Sequence, residues 1–523
     1  TYVDYTNLDL QAITGNLEHL TWTTETIGLE LHELRTKEAN SGFYLKNLAA
    51  NALIDSSQLQ LENLVFETPN SSLQTDVNLG FNGFEELNFA NKNLEIDAAF
   101  KKAELAVSDI LQLAPQIADI QGFNAQTKEH IVFEGNLNGT LSNLQAENIQ
   151  VQTANNTTLK LNGRILGLPN AKNAQFDMRV NQLSSSYADL QKLLKGVTLP
   201  EGLKQLGRMN ISGNLRGNAG NFTAQNLKLT TSTSTAFEGD VKVEGVNGEH
   251  LTFDIEAAKL NTTYEDILVF AAKEEQVPKV MADWGLLDLS GHFVGSLEDF
   301  EGREVRFYTE AKSPVFEGDI GIQNLLDIEN ANFDIKANKL QLTYPDLNGL
   351  AKGTLPASMS NLGNMSYNGS FKGSIYEFYI KGRFGTSIGV LQTDTYLKFN
   401  KDYSFADYRT KSELEEFEVG KLLDNDDVGQ ISLKANIEGS GLTLEDLKAE
   451  SDAQMESADF RNYTYQKVNI DGKWQKGEFE GRMKSEDANA NLYLEGLLNF
   501  SEPNLVYQFE AHIDTLDLKK LGF

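Results

Sequence analysis

The stretch GTSIG sets Ser387 between Gly385 and Gly389. That is the spacing of a nucleophile elbow, in which a sharp strand-to-helix turn exposes a serine for acyl transfer. The residues that follow, VLQTDTYLKF, alternate like a strand, and the only downstream histidine, His512, lies 125 residues further on. No triad is predicted. GLKQLGRM (202–209) has the glycine spacing of a phosphate-binding loop, but Arg208 and Met209 stand where lysine and a hydroxyl residue would meet phosphate and Mg²⁺. A calcium loop starting at Asp424 in DNDD (424–427) would end on Ala435, where a bidentate Glu is required. His19, His32, His130, His250, His292 and His512 show no metal-ligand spacing, and the lack of cysteine removes thiolate and disulfide chemistry. Neither catalysis, nor a metal, nor a cofactor is expected.

Charge narrows the partners. With 75 acidic against 45 basic residues the chain carries a formal charge of −30, and without a dense basic patch it would repel a nucleic-acid backbone. Apolar residues make up 40% of its 523 positions, enough for a real core. No apolar run approaches the 18 residues of a spanning helix; ILVFAA (267–272) is among the longest. TYVDYTNLDL has no targeting character, and the end at DLKKLGF falls inside what reads as another repeat, so a fragment of a longer chain is expected.

The elements that must position any site are repetitive. FEGNLNG, ISGNLRG, LSGHFVG and YNGSFKG put Gly135, Gly213, Gly291 and Gly369 at intervals of 78 residues. An apolar residue precedes Asp97, Asp177, Asp254 and Asp334, and twelve residues beyond each stands Asp109, Asp189, Asp266 or Asp346. Around this second aspartate the period changes from two to about 3.6, as in YADLQKLL and YEDILVFAA, which predicts a short helix with the carboxylate in its first turn. Thr262 and Glu265 have capping-box spacing. NLVFETPNSSLQTDVNLGF, NIQVQTANNTTLKLNGRILGL and NLKLTTSTSTAFEGDVKVEGV align as strand, polar turn and strand. The chain is therefore read as one mostly β, elongated repeat domain. Its units of about 78 residues, 42–122, 123–200, 201–279, 280–357, 358–428 and 429–523, each hold about four strands and one short helix.

Alternation then tells which face is apolar. Ile131, Phe133 and Leu137 share a side of their strand, as do Met209, Ile211 and Leu215; Leu287, Leu289 and Phe293; and Met365, Tyr367 and Phe371. Phe237, Val241 and Val243, and Phe316, Ile320 and Ile322, repeat the pattern on a second strand. The glycines fall on this same side, so either something packs close to backbone there or the sheet bends. Four strands present about 400 Å² of sheet, more than twice what a helix of ~10 residues covers. The rest must meet protein, as in a closed sandwich, or a non-protein apolar partner such as acyl chains in an open U-shaped sheet, where the glycines would leave room for them. The residues leave both open. Trp22, Trp284 and Trp474 read as core or groove-edge residues.

SGFYLKNLAANALIDSSQLQLENLVFETPNSSL (41–73), the YADLQKLLKGVTLP and YEDIL helices and ISLKANIEGSGLTLEDLKAE (431–450) resemble the TamB/AsmA-like proteins of Gram-negative bacteria, in their Bacteroidota form, over essentially the whole chain. The resemblance implies a bridge-like lipid-transfer protein with a U-shaped β-groove, a "β-taco". It would be periplasmic, anchored in the inner membrane by a segment outside this chain, and would move phospholipid to the outer membrane beside BamA-family assembly machinery. The eighteen apolar residues named above would then line the lipid path. A different class of function also fits: a scaffold or chaperone that offers strand edges to outer-membrane β-barrel proteins. A surface adhesin built as a β-helix is disfavoured, because neither ~20-residue coils nor the glycine-aspartate nonapeptides of its calcium-binding versions occur.

Overall fold

The computed structural model describes every residue except 1, 5–6, 87–90, 114–129, 154–155, 171–172, 194–200, 247–249, 270–276, 297, 325–326, 328, 352, 354, 500–505 and 523. The expected limits near 122 and 200 fall outside the described residues. The chain divides into two units, Thr1–Ala272 and Lys273–Phe523. Each is mostly β, and among the described residues each is built on a single antiparallel sheet: fifteen strands from Leu10–Trp22 to Thr252–Thr262 in the first, fourteen from Leu287–Gly295 to Val506–Leu516 in the second. Successive strands pair with one another, so the sheets are meanders; the short Tyr44–Leu45 is the exception, sharing Thr26–Glu38 with the strand Asn47–Asp55. Among the described residues strand Leu10–Trp22 pairs only with Thr26–Glu38 and Val506–Leu516 only with Ala490–Asn499, so no barrel closes there.

Among the described residues five short α-helices punctuate the meanders: α1 (Val107–Leu113), α2 (Tyr187–Leu193) and α3 (Tyr264–Leu268) in the first unit, α4 (Tyr344–Leu350) and α5 (Val419–Leu423) in the second. Each follows four strands, as over Asn47–Leu113 or Leu287–Leu350; beyond Val428 six strands follow with no helix among the described residues. Asp109, Asp189, Asp266 and Asp346 do sit in the first turns. The cap of α3 differs from the sequence reading. Thr263, not Thr262, is the N-cap and accepts from the Asp266 N–H, while the Thr262 hydroxyl pairs with Thr235.

A recurrent bulge accounts for the first glycine of three of the four pairs, Gly135, Gly213 and Gly291. Asn63, Asn148 and Asn226 adopt left-handed φ values of 53°, 52° and 51°. Asparagine is among the few residues that visit this region readily. Their N–H groups, displaced from the ladder, donate to side chains on the next strand: Asn63 to Asp76 at 2.7 Å, Asn148 to Asn162 at 2.6 Å and Asn226 to Asp240 at 2.7 Å. Glu304 does the same with Asp319 at 2.9 Å. The register slips at these points, and the bulged strand bends toward its neighbour. A Cβ on Gly213 would lie 3.1 Å from the Leu227 Cα; one on Gly135 would lie 2.9 Å from the Asn148 carbonyl. The second glycine ends the strand. Gly217, at φ +134°, would put a Cβ 2.2 Å from the carbonyl of Asn221, four residues on, and Gly139, Gly295 and Gly373 repeat that geometry.

The other face is charged. Opposite charges stand directly across from one another at Asp334 and Lys372 (2.8 Å), Lys381 and Asp394 (2.7 Å), and Glu450 and Lys473 (2.9 Å). Exposed pairs of this kind contribute a few tenths of a kcal/mol each, roughly, so they specify register more than they add stability.

Candidate functional site

Following the pairing from strand to strand shows how local alternation becomes a surface. In the first unit one row of directly opposed residues runs from Ile27 through Ile54, Leu59, Leu79 and Ile96 and on to Phe253, crossing thirteen strands. Every member is aliphatic, aromatic or glycine. A parallel row from Leu29 through Leu137 and Leu215 to Ile255 is equally unbroken. In the second unit the corresponding row crosses fourteen strands from Gly295 through Phe300, Phe333, Phe378 and Trp474 to Tyr507, again without a polar residue. At about 4.8 Å per strand, each row is an apolar track of roughly 60 Å.

All eighteen residues picked out by alternation lie on this face of their unit. Ile131, Phe133, Leu137, Ile211, Leu215, Phe237, Val241 and Val243 are half-buried in the first unit. Leu289, Phe293, Phe316, Ile320, Ile322, Met365 and Phe371 are half-buried in the second. Met209, Leu287 and Tyr367 are buried outright, with exposures of 4%, 2% and 8%. Met209 and Leu287 stand near the starts of their strands, and the apolar-face residues further along those strands are half-buried. Ring contacts on the face join adjacent strands: Phe293 with Phe300 at 6.0 Å, Phe371 with Phe378 at 4.9 Å, Phe378 with Phe399 at 6.2 Å. Near the end of the second sheet Ile470, Trp474, Phe479, Met483, Leu494, Leu498 and Phe509 surround a hollow of about 200 Å³.

The glycines on this face do not leave room for a ligand. The space a side chain would take is filled by neighbouring backbone, or by a ring from the same face. Tyr367 lies over the opposed pair Gly369 and Gly382, within 2.6 Å of where either Cβ would be, and donates to the Ser370 and Lys381 carbonyls at 2.8 and 3.1 Å. Its burial pushes the phenol pKa up to about 12. Phe479 covers Gly472 and Gly481 in the same way.

The helical margin is fastened by the buried aspartates, which do more than start helices. Asp266 accepts from Thr233 at 2.7 Å and Thr235 at 2.6 Å, and Asp109 from Ser71 at 2.7 Å and from Thr68. These hydroxyls belong to the polar turns that the sequence shows as Ser- and Thr-rich; the turns are half of the tie. Asp346 gathers Trp284 Nε1 at 2.9 Å, Ser313 at 2.6 Å and both the N–H and hydroxyl of Thr343. Burial opposes the charge on Asp346, but the bonds from Ser313, Thr343 and Trp284 outweigh it and hold the carboxyl below the ordinary aspartate range. Trp284 is core, Trp474 belongs to the apolar face and Trp22 is 76% exposed on the first strand.

Ser387 sits in a strand-to-strand turn between Glu377–Thr386 and Gly389–Phe399 and accepts from the Asn364 N–H, so the geometry of an elbow is missing. Asp424 caps α5 in left-handed conformation, and Gly202 lies in the 3-10 turn Glu201–Lys204. No protein-family model, curated protein or solved structure matches the chain.

Proposed function

We propose that the apolar face binds lipid acyl chains and passes phospholipid along its rows between the inner and outer membranes, a non-catalytic conduit of the TamB/AsmA-like kind in the periplasm. The observation that carries this reading is the unbroken apolar rows of each unit, most of whose large side chains are only half-buried. In a closed sandwich they would interdigitate with a facing sheet and be buried. A contiguous apolar surface of this extent seeks an occupant. Acyl chains match it, being apolar, flexible and indifferent to register, whereas an opposing sheet would need shape complementarity over every strand. The charged outer face remains in water. The resemblance on which the periplasmic assignment rests also names an anchor in the inner membrane and BamA-family machinery at the outer membrane as the two ends of the path.

The test is a triple variant, Leu215→Glu, Phe293→Glu and Phe371→Glu, on positions that are only half-buried, so that the new carboxylates can reach water. Phospholipid recovered by organic extraction of the purified chain is expected to fall at least about tenfold while the far-ultraviolet circular dichroism is kept. Unchanged lipid content in a folded triple variant would sink the reading.

A further inference from the structure

The first hairpin assembles something that linear spacing hides. Strand Leu10–Trp22 pairs with Thr26–Glu38, and Glu18 stands directly opposite Glu30 on the charged face, away from the apolar row that holds Trp22 and Ile27. Two like charges face to face on a strand pair are unfavourable, the more so in a chain of net charge −30. Histidines flank both carboxylates. His32 Nε2 lies 3.3 Å from Glu18 Oε2, and His19 Nδ1 contacts Glu30 Oε2. His19 reaches its partner because the register slips between Glu18 and Thr21, leaving His19 in left-handed conformation at φ 51°. Ligand atoms of Glu18, Glu30 and His32 all fall within 4.8 Å of one another.

We propose that this hairpin binds a divalent transition metal of the zinc class, with Glu18, Glu30 and His32 as ligands and His19 as a positioning residue that holds the Glu30 carboxylate. Zinc takes nitrogen and oxygen ligands at about 2.0–2.2 Å in tetrahedral geometry, so atoms of one shell lie roughly 3.3–3.6 Å apart. The set needs to tighten by roughly 1.5 Å at most, which exposed side chains do by rotation. Imidazole beside carboxylate selects zinc, copper or nickel over calcium and magnesium, whose preferred ligands are oxygens alone. A carboxylate oriented by a second group that hydrogen-bonds it is a common support for a ligand, and its loss typically costs about 10- to 100-fold in affinity. The ion would turn the Glu18–Glu30 repulsion into attraction and fasten the outermost pair of strands. Sequence spacing gives no sign of this, since the ligands sit on opposite strands and meet only through the turn and the slip in register.

The experiment is isothermal titration of the whole chain, freed of metal by chelator, with Zn²⁺ and then Ca²⁺. One zinc per chain is expected. His32→Ala and Glu18→Gln are expected to abolish it, His19→Ala to weaken it about 10- to 100-fold, and His512→Ala, in the other unit, to leave it unchanged. Hydrogen exchange of the amides in Leu10–Trp22 should slow on zinc addition in the wild type and not in His32→Ala. Equal zinc affinity in wild type and His32→Ala, or calcium bound in preference to zinc, would overturn the assignment. Neither readout involves lipid, so its failure leaves the conduit reading where it stands.

Discussion

The two units meet one local requirement, a close backbone approach in the middle of the apolar face, by different means. In the first unit an asparagine bulge presses the neighbouring strand against a glycine, as Asn226 does at Gly213. In the second, the pairings at two later sites run without a slip in register, and opposed glycines lie under an aromatic ring: Gly369 and Gly382 under Tyr367, Gly472 and Gly481 under Phe479. A bulge bends a strand with a polar side chain on the far face, while a glycine pair makes a seat for a ring on the near one. The linings differ accordingly. The row through Leu137 and Leu215 is unbroken, but its counterpart through Phe293 and Phe371 turns polar at Thr395, Thr410 and Ser451. There Thr393, Thr395, Thr410 and Ser412 satisfy one another's hydroxyls, and Ser451 accepts from Trp474 Nε1 at 3.1 Å. What recurs is the apolar face; the local devices that shape it are interchangeable.

That comparison can be broken or sharpened in steps. The largest effect is expected at Gly217→Val, where left-handed φ and a carbonyl 2.2 Å from the new Cβ combine; a loss of about 3 kcal/mol or more should appear as a lower urea midpoint. Asp346→Ala follows, at roughly 2–3 kcal/mol, because Trp284, Ser313 and Thr343 would be left unpaired. Asp189→Ala should cost less, its carboxylate receiving Ser186. Since the folded Asp346 carboxyl is depressed, its contribution is present at neutral pH and is lost as pH falls through that lowered value. Tyr367→Phe removes two hydrogen bonds and is expected to cost about 1–2 kcal/mol at neutral pH. The raised Tyr367 value has the opposite sign: its stabilisation is complete below the ordinary tyrosine range and disappears as pH rises toward about 12, a dependence that Tyr367→Phe should lack. The smallest change is expected for Thr395→Val with Thr410→Val, near zero in stability because both partners of the central 2.6 Å bond go together. It should raise the amount of phospholipid recovered, because it makes the second-unit row resemble the first.

Alternation over two residues is a local property, and it placed all eighteen chosen side chains on the apolar face, with the aspartates at the helix starts. Register is not local. The left-handed asparagines begin each of the aligned segments NLVFE, NIQVQ and NLKLT, yet nothing in a single copy says that the residue leaves the ladder. The glycines read from sequence as close packing, as a bend or as room for acyl chains, and the structure shows close packing. The turn hydroxyls of Thr233 and Thr235 lie some thirty residues from Asp266, and the hydroxyl cluster around Thr395 and the histidines of the first hairpin meet only once cross-strand pairing is fixed.

The central claim is that the chain leaves its own apolar face uncovered for lipid, and a photoreactive residue at Phe371, with Lys372 on the charged face as its control, tests it most directly. Mass spectrometry after irradiation in cells is expected to find phospholipid joined at 371 and none at 372. Adducts at 371 confined to facing side chains of this chain, or to another protein, would show the face closed by protein and contradict the account.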